Sequence, residues 1–359
     1  MQKINQQYIA NKLNISRATV SRCFTNHRGI NPVTRARVFK LASQLGYQHM
    51  EMRTPTHQKS GGQKTIGVLF CSDVNQHYET GYASPGLRLF AGVSEFAQIH
   101  KHKIELHYVD WKETSLDEPS YRKIDALHRR TWDGLLLIYS FPRNIIDELN
   151  IRFPMVSLVE QYGKESYNCV DVDHYKGIAM VMKRLHDFGH RRIGFFNLKY
   201  EVETEWALRR FCSYVEELTR MGLPLISEDV VNIYPNHYLN NEQAMDYAAK
   251  QVQKGVTAWV CAADHQAYEM IADFKNRGIH CPEDVSVTGF DGTPKPKWVD
   301  RELTTVAIPY HEIGFTGAKR VVDLIKKRSG RAQHILVECQ FHEGGTVGPV
   351  LSKSVPVIA

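Results

Sequence analysis

The stretch IANKLNISRATVSRCFTNHRGINPVTRARVFKLASQLGY, Ile9 to Tyr47, decides the first part of the fold. Its apolar residues Ile9, Leu13, Val20, Phe24, Val38, Leu41 and Leu45 recur at helical spacings, with no strand-like alternation. Gln6 to Leu13 suits a first helix, and Ala10 is small enough for another helix to cross closely. Asn14 tolerates the left-handed conformation of a tight turn, Ile15 plugs the core, and Ser16 caps the next helix. The second helix, Arg17 to Phe24, buries Val20 and Phe24 and presents Arg17, Ala18, Ser21 and Arg22 on its other face. A third starts with Asn31 as cap and Pro32 at its first position, where a missing N–H costs nothing, and ends at Gly46. This is a helix-turn-helix, a motif whose second helix enters the DNA major groove and meets bases with its N-terminal end.

Residue types extend the reading. An arginine fork matches the O6 and N7 acceptors of guanine, so Arg17 and Arg22 can each discriminate a base, while Ala18 offers methyl contact to thymine. The hydroxyls of Ser16, Thr19, Ser21, Thr34 and Tyr47 suit phosphate oxygens. Charge agrees: residues 1 to 60 carry ten Lys or Arg against the single acid Glu51, a net of +9. The chain as a whole is only +6, so the remaining 299 residues are net −3. The alternative reading of Arg17 and Arg22 is a merely solvated helix face.

Residues 48–63 have no sustained period and contain Pro55 and a Ser-Gly-Gly, which predicts a hinge or linker after a DNA-binding domain at 1–47. From Thr65 onward, short apolar runs such as TIGVLFC, GLLLI and AWVCAAD alternate with amphipathic stretches. That alternation predicts α/β structure with parallel sheets covered by helices. Its length predicts two lobes within 64–345: about 64–173 plus 309–330, and about 174–308 plus a C-terminal strand, with a tail at 346–359. The seven cysteines are scattered without a Cys-x-x-Cys pair, as reduced thiols are. No apolar run approaches the ~20 residues that span a bilayer, and the first residues lack a signal-peptide core, so a cytoplasmic protein is expected.

The segment Ile9 to Tyr47, and above all Ser16, Thr19, Val20, Ser21 and Arg22, resembles the headpiece of the LacI/GalR family of transcription regulators. GHRRIGFF at Gly189 to Phe196, DVSVTGFDG at Asp284 to Gly292, and IPYHEIGFTGAKRVVDLI after Ala307 extend the resemblance over nearly the whole chain. It implies a homodimer on a pseudo-palindromic double-stranded operator, with a periplasmic-binding-protein-like effector domain. It also implies base reading by Arg17, Ala18 and Arg22. The family's hinge leucine is replaced by Thr56 after Pro55, which disfavours a conventional hinge helix. Met50 or Met52 could supply an apolar minor-groove wedge instead, or the segment is a plain tether.

By the same resemblance, Asp291 in GFDG accepts hydrogen bonds from effector hydroxyls, and Arg210 and Asp264 join it. Ser213 and Ala263 stand where the family usually has Gly and Asn. Strand ends add Tyr82, Arg88 and Tyr139, and Trp206 and Trp298 either stack on a sugar ring or pack ordinarily. Asp291 with Arg210 suits a hydroxyl-rich sugar or derivative, including one with an acidic group near the arginine. No cofactor is expected. HKH at 100–102 and DVDH at 171–174 lack metal-ligand spacing and read as solvated histidines. No nucleophile elbow, phosphate loop or dinucleotide fingerprint is present, which argues against an enzyme. An effector-controlled repressor is the expected function. The alternatives are an effector-controlled activator and a solute-binding protein without a DNA role.

Overall fold

The computed structural model describes residues 5–24, 29–31, 34–35, 37–38, 41–42, 62–71, 84–162, 167–200, 205–233, 239–327 and 331–350. Helices α1 (Gln6–Leu13) and α2 (Arg17–Phe24) have the predicted bounds. Asn14 ends α1 in the left-handed region at φ 52, its N–H returning to the Ala10 carbonyl. The Ser16 hydroxyl then accepts the Thr19 N–H at 3.0 Å and opens α2. Ile9, Ala10, Val20, Cys23, Val38 and Ala42 form the small core. Cys23 is fully buried, and Phe24, also one turn after Val20, packs against this core half-buried. Residues 34, 35, 37, 38, 41 and 42 are helical, and the Arg35 N–H bonds to the Asn31 carbonyl.

Beyond the headpiece the chain runs β1 (Thr65–Cys71), α3 (Pro85–Ile99), β2 (Lys103–Val109), α4 (Pro119–Arg122), α5 (Asp125–Arg129), β3 (Gly134–Ile138), α6 (Arg143–Arg152), β4 (Met155–Leu158) and β5 (Asn168–Val172). It continues through α7 (His174–Asp187), β6 (Ile193–Phe196), α8 (Glu205–Arg220), β7 (Val230–Val231), α9 (Asn241–Gln253), β8 (Ala258–Cys261), α10 (Asp264–Asn276), β9 (Ser286–Thr288) and β10 (Thr305–Ala307). It closes with α11 (Tyr310–Lys326), β11 (His334–Val337) and β12 (Gln340–His342).

Two compact units result: Met1–Asp171 with Tyr310–Val337, and Val172–Pro309 with Glu338–Ala359. The first holds a six-stranded sheet in the order β11-β5-β4-β3-β1-β2, in which β1 runs parallel to both β2 and β3. Every residue of β3, GLLLI, is buried, as a parallel strand between two helical layers must be. The second holds the parallel sheet β7-β6-β8-β9, with Trp259, Phe196 and Phe274 among its largest buried side chains.

The α/β class with parallel sheets is therefore as expected. The antiparallel pair β10-β12 departs from it. It forms because the chain returns to the second unit after Val337 and lays Gln340–His342 beside Thr305–Ala307. Among the described residues no helix is long and apolar enough to cross a membrane.

Candidate functional site

On α2, Arg17, Ala18 and Arg22 are exposed, and Ser21 is half-buried between them. With ~100° per residue the four span ~140° of the helix, leaving the opposite side to Val20 and Cys23. Ser16 is exposed and Thr19 half-buried, their hydroxyls 2.9 Å apart at the helix start, where N–H groups point outward. Thr34 is half-buried in the third helical stretch. Arg35, counted in the basic headpiece, turns inward: it is 2% exposed, and its Nη1 donates to Ser94 Oγ at 3.0 Å on α3. Tyr47, Met50, Met52 and Tyr82 lie outside the described residues, as do Thr56 and the other hinge residues up to 61.

The second unit gathers the other candidates around one guanidinium. Arg210, on α8, is 3% exposed. Its Nη1 and Nη2 each donate to Asp291 Oδ1 at 3.2 Å, Nη1 also to the Ala262 carbonyl, and Nε to His174 Nδ1 at 3.2 Å. Four of its five N–H groups are thus engaged. The cation also lies 3.9 Å from the Phe290 ring centre and 4.7 Å from that of Trp206. Trp206 meets Tyr200 edge-on at 5.7 Å.

Asp291 sits at φ 145, a region that essentially only glycine occupies without strain. Its N–H donates to the Val306 carbonyl at 2.8 Å, and its own carbonyl accepts from the Ile308 N–H at 3.1 Å. Strained backbone of this kind clusters at functional sites. The glycines on either side of Phe290–Asp291 have separate reasons. A Cβ on Gly289 would fall 2.3 Å from Asp264 Oδ1, and one on Gly292, at φ +69, would fall 2.5 Å from Ala307 Cα.

Asp264, the first residue of α10, is fully buried. Its carboxylate accepts the Thr293 N–H at 2.6 Å, the Thr293 hydroxyl at 3.1 Å and the Thr305 hydroxyl. Burial pushes its pKa up to about 7, and the Asp291 charge adds to the rise while the threonine donors oppose it. In this arrangement Asp264 fastens the loop after Asp291 to α10.

Trp298 does not join this group. It is 56% exposed and lines a separate cleft of about 350 Å³ with Ile271, Lys275, Ile279 and Arg301.

In the first unit Tyr139, at φ 74 just after β3, accepts the Gly86 N–H on its hydroxyl at 2.8 Å and meets Phe70 edge-on at 5.8 Å. Burial pushes that hydroxyl up to about 12. Tyr139 thereby holds the first turn of α3. Arg88, on the same helix, lies over the Tyr310 ring at 5.0 Å.

Several polar residues escaped the sequence reading. At the carboxyl ends of β3 to β5, Glu160 Oε2 accepts the Ser140 hydroxyl at 2.6 Å, and Asp171 Oδ2 accepts from Gln161 at 2.8 Å. Glu160 and Asp171 are buried. The reading of HKH and DVDH as solvated holds for His100, which is exposed, and is corrected for the other two: His102 is 7% and His174 5% exposed. The Lys64 N–H donates to His102, and Arg210 donates to His174. DVDH was the available signal, since it carries both Asp171 and His174, but metal spacing is the wrong test for it. Among the described residues no group of His, Cys, Asp and Glu could hold a metal ion.

Residues 7–49 match the family model described as bacterial regulatory proteins, lacI family, and residues 182–347 that of a periplasmic binding protein-like domain. The HTH-type transcriptional repressor CytR of Escherichia coli (strain K12) is 25% identical over 342 residues, covering 93% of each chain. Among solved structures, the transcriptional regulator CelR–cellobiose complex has a TM-score of 0.64 at 20% identity, over 96% of this chain and 100% of that chain. The lac repressor dimer bound to operator and the anti-inducer ONPF has 0.62 at 17%, over 97% and 100%. At these identities the structural likeness bears on the fold.

Proposed function

The chain belongs to the lacI family of bacterial regulatory proteins, and on that premise we propose that an uncharged, hydroxyl-bearing effector held at Asp291 sets its affinity for operator DNA. It is a sequence-specific DNA-binding transcriptional regulator and not an enzyme. It acts as a homodimer, whose two headpieces match the half-sites of a two-fold operator. Base reading falls to Arg17, Ala18 and Arg22, and phosphate contact to Ser16, Thr19, Ser21 and Thr34, in a cytoplasmic repressor.

The observation that carries the effector reading is the buried Arg210–Asp291 pair, with Asp291 kept in backbone that favours glycine. Such strain persists where the side chain has a task. The same pair bears on ligand class. Arg210 has spent four N–H groups inside the protein, and Asp264 adds a second carboxyl beside Asp291. An acidic ligand would meet those carboxyls with one remaining Arg210 N–H to offset them, so an effector with an acidic group near the arginine is disfavoured. Hydroxyl donors suit Asp291 without that repulsion.

The test is a thermal-shift series on the full chain with cellobiose, glucose, ribose and adenosine, against gluconate and glucose 6-phosphate. A ligand that binds only the folded state raises Tm by mass action. The expected result is a shift with an uncharged compound, lost in Asp291→Asn, with operator affinity unchanged in that variant without ligand. A larger shift with an anion, or an undiminished one in Asp291→Asn, refutes the reading.

A further inference from the structure

We propose that His174 is a positioning residue: through Nδ1 it holds the effector-binding arginine and ties it to the point where the chain enters the second unit. The functional part of this inference rests on the effector reading of Arg210 and Asp291.

A guanidinium has three edges. Two of those of Arg210 face Asp291 and the Ala262 carbonyl, while the Nε edge faces His174. Arginine only donates, so Nδ1 accepts through its lone pair. His174 is itself placed twice over. It is the first residue of α7, and the preceding Asp173 caps that helix by accepting the Lys176 N–H at 3.0 Å. Its ring packs 5.7 Å from Phe290, the aromatic face that also supports the Arg210 cation. Ring and guanidinium therefore share one platform, and the Nε–Nδ1 bond sets the angle between them.

The chain first enters the second unit at Val172, leaves it after Pro309 and returns at Glu338; the first two crossings concern the site. His174 is the third residue after the entry. Asp291 is pinned by its backbone to Val306 and Ile308, just before the exit. Arg210 is thus fastened to the entry through Nε and to the exit through Asp291. Both connections lead to the unit that bears the headpiece. A ligand that alters the hydrogen bonding of Asp291 shifts its load onto Arg210 and, through His174, onto the incoming chain. Without the Nδ1 acceptor, the Nε edge of Arg210 loses its tie to the entry, and the entry no longer follows the site.

Two variants of the full chain separate this from plain packing. His174→Phe keeps a ring on Phe290 but removes the acceptor. His174→Asn keeps an acceptor at similar reach. The first measurement needs no effector: the Nε–H resonance of Arg210 in a ¹⁵N–¹H spectrum, assigned by its loss in Arg210→Lys. It is expected to exchange slowly with water in the parent and in His174→Asn, and to exchange freely in His174→Phe. Equal protection in His174→Phe overturns the bond.

The second measurement is operator affinity by fluorescence anisotropy with and without cellobiose, glucose, ribose or adenosine. His174→Phe should bring the ratio of the two affinities close to one and weaken the bound compound about tenfold, as expected for losing a hydrogen bond to a charged group. His174→Asn should restore both, and ligand-free operator affinity should stay within about threefold throughout. A full effector response in His174→Phe overturns the positioning role. A full response in Asp291→Asn instead overturns the effector reading, and the Nε–H measurement still decides the bond.

Discussion

Breaking the Arg210–Asp291 pair from either side should cost unequal amounts, and the inequality tests the geometry. The two side chains are only 4% and 7% exposed, so neither charge can be left to water. Removing one partner of a buried pair typically costs about 3–5 kcal/mol, because the other charge remains uncompensated. Arg210→Met removes four hydrogen bonds and leaves Asp291 beside the buried carboxyl of Asp264, which places it at the upper end. Asp291→Asn leaves the cation on the Ala262 carbonyl, His174 and two aromatic faces, which places it at the lower end.

For a unit of about 160 residues, ~2–4 °C is lost per kcal/mol. Arg210→Met should therefore lower its Tm by roughly 10–20 °C and Asp291→Asn by roughly 6–12 °C. The double variant should recover about 3 kcal/mol relative to the sum, since it leaves no unpaired charge. Scanning calorimetry of the four proteins at one pH measures all three quantities. Costs that add within about 0.5 kcal/mol, or a milder Arg210→Met, would refute the reasoning.

Other outcomes follow from the same atoms. The Asp264 carboxyl titrates near 7 in the folded chain against an ordinary 3.8, so the folded state keeps a proton that the unfolded state has lost. Its contribution to stability is full below 3.8 and is lost as pH rises through about 7, and Asp264→Asn should flatten that decline in a series of Tm against pH. Gly289→Ala brings a methyl to 2.3 Å from Asp264 Oδ1 and should cost about 1–3 kcal/mol in calorimetry, with an unchanged Tm counting against the close approach. Arg22→Ala should weaken operator binding by about 1–3 kcal/mol per half-site and relax preference at one base pair, read by anisotropy across single-base operator variants. Unchanged base preference would remove Arg22 from the reading face.

How much of this is legible in the sequence depends on how far each determinant lies from what it satisfies. The helix-turn-helix is legible because its signals are local: Asn14 closes on Ala10, and Ser16 caps Thr19. The apolar strands are legible because a parallel strand buried on both faces must be apolar throughout. Strand β5, NCVDV, is not, since Asn168 and Asp171 pass for loop until Arg320 and Gln161 are seen to donate to them. The two-stranded pair joins residues 305–307 to 340–342 by three residues each, too few to show a period.

The site divides in the same way. Asp291 and Arg210 are recognisable by motif, but the partners of Arg210 stand 36, 52 and 81 positions away at His174, Ala262 and Asp291. No local pattern announces that they converge. A sequence therefore shows an arginine free to take an acidic ligand, whereas the fold shows one whose donors are already engaged. Residue type sets what a side chain could bind, and its distant neighbours set what it has left to bind with. For Arg210 that remainder is a single N–H, and this is the ground for proposing that recognition falls to the Asp291 carboxylate and favours hydroxyls over acids.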